Sequence, residues 1–169
     1  MANAYHGKTI LGELMDNITV GDADSSQSVY VGKATNGKLW VEIYVGDTEV
    51  ALGSTDALEF YLQTASSDTL GDHEAPISHD NSGGKTPDAS GTFAHGESNE
   101  IAADAATYGV KFTAGSGTLT FAVGDLIAEI AIPDTMMRLC GHTYVQLKMI
   151  ETEIAGVTGT IDAFVVARM

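Results

Sequence analysis

The chain has 169 residues, with 23 acidic and 8 basic side chains and a formal net charge of −15 at pH 7. That length is one domain able to bury a real core, and a 44% hydrophobic content argues against intrinsic disorder. The acidity argues against nucleic-acid and anionic-lipid partners, no apolar run reaches the roughly 18 to 20 residues of a membrane span, and the single Cys140 leaves no intrachain disulfide. The start, Met1-Ala2-Asn3-Ala4-Tyr5-His6-Gly7-Lys8, carries no apolar secretory stretch, so synthesis in a reducing cytoplasm is expected.

Residues 1–27 read as an N-terminal arm and entry segment, and residues 28–169 as a single β domain. Within the first segment, residues 9–16 could form one or two helical turns, which is too short to stand without tertiary support. Ser28-Val29-Tyr30-Val31 opens a series of short runs rich in β-branched and aromatic residues. Asn36-Gly37 is a turn signal before Leu39-Trp40-Val41-Glu42-Ile43-Tyr44-Val45. Trp40 and Tyr44 share one face of that strand and Val41, Ile43 and Val45 the other. Both faces are largely apolar, so the strand should be central or covered by another subunit. Residues 57–63 form a third run. Residues 108–113 and 118–123 flank Ala114-Gly115-Ser116-Gly117 and read as a hairpin. Leu126 to Ile132 alternates and stops at Pro133, residues 142–150 alternate cleanly, and residues 159–167 close the chain. Seven or eight short strands with turn signals between them favour an all-β antiparallel fold, a β-sandwich or jelly roll, over a helical one.

Residues 64–108 interrupt this series. The stretch is dense in Ser, Gly, Asp, Asn and His, and it holds eight acidic residues against one basic. Irregular connections longer than about 15 residues are uncommon inside compact domains. It reads as a long irregular acidic loop or insertion, with an Ala-rich stretch over residues 97–107 as its one helical candidate.

The residues that could carry chemistry do not assemble into a known constellation. His73, His79 and His95 sit among Asp72, Glu74, Asp80, Asp88 and Glu97, but at no ligand spacing, and a solvated loop explains them. Asp80-Asn81-Ser82-Gly83 lacks the closing Glu of a calcium loop. Gly115-Ser116-Gly117 lies between strands rather than before a helix, so it builds no anion site. Cys140 and His142 would share a strand face without a nucleophile context. Glu151 and Glu153 read as a solvated strand end. No catalytic, cofactor-binding or metal residue is therefore assigned, and an enzyme is not expected. Tyr5 in the arm and Met136, Met137 and Arg138 after Pro133 are the candidate partner contacts, because methionine adapts readily at interfaces.

The local wording of the strands adds a resemblance. Leu58-Glu59-Phe60-Tyr61-Leu62-Gln63-Thr64-Ala65-Ser66-Ser67-Asp68, Ile130-Ala131-Ile132-Pro133, Tyr144-Val145-Gln146-Leu147 and Gly156-Val157-Thr158-Gly159-Thr160-Ile161-Asp162-Ala163-Phe164-Val165 together resemble the small capsid cement, or decoration, proteins of tailed bacteriophages. The likeness covers residues 39–68 and 126–167. It implies a jelly-roll virion protein that assembles as a homo-oligomer, with a trimer favoured. On the outer capsid surface such a protein bridges neighbouring major capsid proteins and stabilises the head. The family brings no catalytic residues and no cofactor. Residues 69–108 depart from it in length. Two other readings stand beside this one: a carbohydrate-binding β-sandwich using Trp40, and another virion component such as a head fibre or tail subunit.

Overall fold

A computed structural model describes residues 8–21, 23–24, 27–32, 38–65, 68, 109–132, 142–152 and 156–168. Among them there are twelve strands and no helix. They are β1 (Lys8–Thr19), β2 (Ala23–Asp24), β3 (Val29–Tyr30), β4 (Lys38–Val45), β5 (Val50–Leu52), β6 (Ala57–Ala65), β7 (Gly109–Thr113), β8 (Leu119–Phe121), β9 (Leu126–Ala131), β10 (Tyr144–Thr152), β11 (Val157–Thr158) and β12 (Thr160–Arg168). Residues 9–16, weighed as helical turns from sequence, lie within β1. Its pairing along β12 and the packing of Leu14 and Met15 override the weak helical pattern. The Asn36-Gly37 turn and the Ala-rich stretch over residues 97–107 lie outside the described residues.

All pairings are antiparallel. One sheet has the order β1-β12-β4-β9 and a second the order β2-β10-β6-β7, with β3 also on β10. A short third sheet, β11-β5-β8, joins them at one end. The segment β4-β5-β6 is flanked throughout by the same two neighbours. On one side β9, β8 and β7 pair with it in turn, and on the other β12, β11 and β10 do. Long antiparallel ribbons therefore cross from the first sheet to the second, and their inner faces close on one core, as in a β-sandwich.

The crossings fall where the sequence supplies Gly, Ser, Asp and Thr. Ala114-Gly115-Ser116-Gly117 is such a corner and not the expected hairpin turn, because β7 pairs with β6 while β8 pairs with β5. The corner docks on the neighbouring crossing over residues 53–56. Ala114 N donates to Asp56 O at 3.0 Å, and Thr55 N donates to Gly115 O at 2.7 Å. Fully buried Asp56 holds that crossing by accepting from Gly53 N at 2.9 Å. Period-2 patterning alone could not separate a hairpin from a sheet-to-sheet corner, since both read as strand, turn, strand.

The core gathers Leu14 and Met15 of β1, Val41 and Ile43 of β4, Ile130 of β9 and Ile161, Ala163 and Val165 of β12 from the first sheet. Against them lie Leu58, Phe60 and Leu62 of β6 and Val145, Leu147 and Met149 of β10. The alternation read over residues 142–150 is the observed one, with Val145, Leu147 and Met149 all fully buried. β4 is an interior strand between β12 and β9, with its Val41, Ile43 and Val45 face in the core and its Trp40 and Tyr44 face on the outside of the sheet. β6 is buried on both faces, Gln63 alone being partly accessible. Residues 66–108 begin where β6 ends and return at β7, its antiparallel neighbour, so the acidic stretch joins two adjacent strands of the second sheet.

Candidate interaction surface

Alternation along β4 and β12 decides what the outer face of the first sheet displays. With Val41, Ile43, Val45, Ile161, Ala163 and Val165 in the core, Trp40, Glu42, Tyr44, Asp162, Phe164, Val166 and Arg168 point outward. Register then sets them in rows across the sheet. Ile10, Val166, Trp40 and Ala131 make one row; Phe164, Glu42 and Glu129 make the next; Asp162, Tyr44 and Leu126 make a third.

Glu42 sits at the middle of this face and is only 2% exposed. A carboxylate so placed must be fully hydrogen-bonded. Its Oε1 accepts from Lys8 Nζ at 2.6 Å and from Arg168 Nη2 at 2.7 Å, and its Oε2 accepts from Tyr44 OH at 2.7 Å. Arg168 Nη2 also donates to Glu129. Lys8 belongs to β1, Arg168 to β12, Glu42 and Tyr44 to β4, and Glu129 to β9, so one ionic network straps all four strands of the sheet. Burial pushes the Glu42 carboxyl up, but the hydrogen bonds from Lys8, Arg168 and Tyr44 outweigh it and hold the group below the usual carboxylate range. Burial likewise disfavours the Arg168 cation, and its bonds to Glu42 and Glu129 more than offset this, raising its pKa.

Aromatic packing completes the face. The Arg168 guanidinium lies 4.6 Å from the centre of the Trp40 ring, and Tyr44 meets Phe164 edge to face at 6.1 Å. Trp40 is thus a packing residue under a cation, and its Nε1 is buried with no acceptor among the described residues. A sugar-stacking ring would instead present an open face and an accessible N–H.

Around Tyr44, Phe164, Ile10 and Leu126 lies an open depression of about 530 Å³. Ile10 is 55% and Leu126 43% exposed, so apolar surface remains uncovered beside charges that cancel one another. The end of the face near the turn at residues 46–49 is acidic. There Asp162 Oδ1 accepts from Asn17 N at 2.6 Å, and Asp47 Oδ2 accepts from Asn17 Nδ2 at 3.1 Å. Glu13 is pushed above the usual carboxylate range, first by burial and then by the negative charges of Asp16 and Asp162.

The contact residues expected from sequence, Tyr5, Met136, Met137 and Arg138, lie outside the described residues, as do His73, His79, His95 and Cys140. His142 is described, and its Nδ1 is 2.7 Å from Thr64 Oγ1, a bond that ties the entry of β10 to the end of β6. Among the described residues no group of three or more His, Cys, Asp and Glu side chains could hold a metal ion. No helix among them is long and apolar enough to cross a membrane. Sequence reading missed the Glu42 network. Its one signal was a lone acid in the apolar run over residues 39–45, whose cationic partners Lys8 and Arg168 sit 34 and 126 positions away. No family model matches the chain, and no curated protein matches it.

Proposed function

We propose that this protein is a structural virion component that docks on the outside of a phage capsid and bridges neighbouring major capsid proteins. The observation that carries the reading is the outer face of the β1-β12-β4-β9 sheet, where exposed Ile10 and Leu126 adjoin charges that cancel one another through the Glu42 network, on a chain of net charge −15. That part of the face can be buried against another protein without stranding a charge, while the acidic remainder keeps decorated particles apart. The strand orders β1-β12-β4-β9 and β2-β10-β6-β7, with ribbons crossing between them, support the jelly-roll form of the sandwich that the cement-protein resemblance implies. Residues 64–108 take the part of an acidic insertion, and a homotrimer is the favoured assembly. A β body with a docking face suits that role, which calls for no catalyst.

Co-sedimentation with phage shells assembled from purified major capsid protein tests the proposal. The wild-type chain should bind saturably and raise the temperature at which the shells open. Leu126→Asp, a substitution at an exposed position, should weaken binding by about tenfold or more with an unchanged melting curve. Wild-type protein that stays in the supernatant, or a variant that binds equally well, would sink the reading.

A further inference from the structure

β1 has two parts of different standing. Leu14 and Met15 are fully buried, whereas residues 8–11 place no side chain in the core: Lys8 is half-buried and Thr9, Ile10 and Leu11 are exposed. The two parts meet at a bulge. Pairing with β12 runs Lys8 to Arg168, Thr9 to Ala167 and Ile10 to Val166, skips Leu11, and resumes at Gly12 opposite Val165. Gly12 is fixed against β3, since a Cβ there would come 2.7 Å from Val29 Cγ2. Beyond this anchored point, residues 8–11 are held, among the described residues, by backbone pairing to β12 and by one side-chain tie, Lys8 Nζ to Glu42 Oε1 at 2.6 Å. β1 is also the edge of its sheet, with no strand on its far side among the described residues.

We propose that residues 8–11 form an exchangeable edge strand, which leaves its own β12 and pairs in the same register with β12 of a second copy to give a strand-swapped dimer. Complementarity fixes the occupant. The vacated edge between Val166 and Arg168, with Glu42 behind it, already matches the segment Lys8-Thr9-Ile10-Leu11 in register and in charge, and every copy carries that segment. The pairing and the ion pair are identical in closed and swapped forms, so concentration sets the balance between them. Exposed Ile10 and Leu11 supply apolar surface where the two chains cross at the bulge. The Lys8–Glu42 pair acts as the latch, because it must open before the segment can leave. The inference concerns the free protein, and is independent of the capsid role and of the trimer proposed for the assembled head.

The test uses the full chain. Equal amounts of light and heavy isotope-labelled protein are mixed at high concentration and followed by native mass spectrometry, which should reveal dimers carrying one chain of each label. Glu42→Gln keeps the shape and removes the charge, and should speed their appearance by about tenfold. Thr9→Cys with Ala167→Cys, in a Cys140→Ser background, reports the geometry, because these positions are opposed across the pair. Oxidation of the dimer should then join heavy to light chains through residues 9 and 167. Absence of mixed dimers, links confined to single chains while dimers are present, or equal exchange rates in wild type and Glu42→Gln would each overturn the proposal.

Discussion

Glu42 shows how much a single residue can organise when its neighbours come from distant parts of the chain. Its carboxylate is almost inaccessible to water, and its stability contribution depends on Lys8, Arg168 and Tyr44 all donating to it. Breaking one side of such a buried pair costs more than the pair itself contributes. The acid response follows. Because the folded-state pKa of Glu42 lies below its ordinary value, the group stabilises the fold above its unfolded pKa, and that contribution is lost as pH falls through the folded value. Glu42→Gln should therefore lower stability by about 1–3 kcal/mol at pH 7 and narrow the gap to wild type below pH about 4. Urea titrations of both proteins across that range check the sign. A gap that stays constant with pH would mean that ionisation is not what Glu42 contributes. The sequence offers Glu42 as an anomaly between Trp40 and Tyr44, but nothing local names Arg168 as its partner.

At the scale of elements, the strands are governed by alternation and the crossings by backbone freedom. Residues 39–45, 57–63, 126–132, 142–150 and 159–167 were readable as strands because apolar and polar residues alternate or run unbroken between turn residues. Corners were not readable as corners. Ala114-Gly115-Ser116-Gly117 carries the composition of a hairpin turn, and only the separate partners of β7 and β8 make it a passage between sheets. Gly159 marks the matching passage from β11 to β12. It has φ 125°, and a Cβ there would come 2.6 Å from Glu49 O and Val50 Cα, both backbone atoms unable to swing away. Gly159→Ala should then destabilise the fold by more than about 2 kcal/mol, through both strain and collision. Thermal unfolding checks this, with an exposed glycine such as Gly117, which has nothing within 4 Å of its added Cβ, as the control.

For the whole molecule the decisive quantity is charge. With 23 acidic side chains on 169 residues and few cations to offset them, the folded state confines like charges that the unfolded chain spreads apart. Raising ionic strength from about 0.02 M to about 0.5 M shortens the screening length several-fold and should raise the melting temperature by several degrees. Scanning calorimetry in sodium chloride reads the effect. Unchanged or falling melting temperatures would show that the Glu42 network, which salt weakens, outweighs the general repulsion. The same charge balance bears on assembly, since salt should also favour the association of copies.

By itself the sequence determined the fold class, the interior position of β4, the buried alternation of β10 and the uneven acidity along the chain. Each of these follows from local spacing, which a strand converts directly into faces. The tertiary structure alone decided which strands adjoin, which turns are corners, and that the two ends of the described chain, Lys8 and Arg168, share one carboxylate at the centre of a sheet. Those relations join residues far apart in the chain, and a period of two carries no information about the strand on the other side.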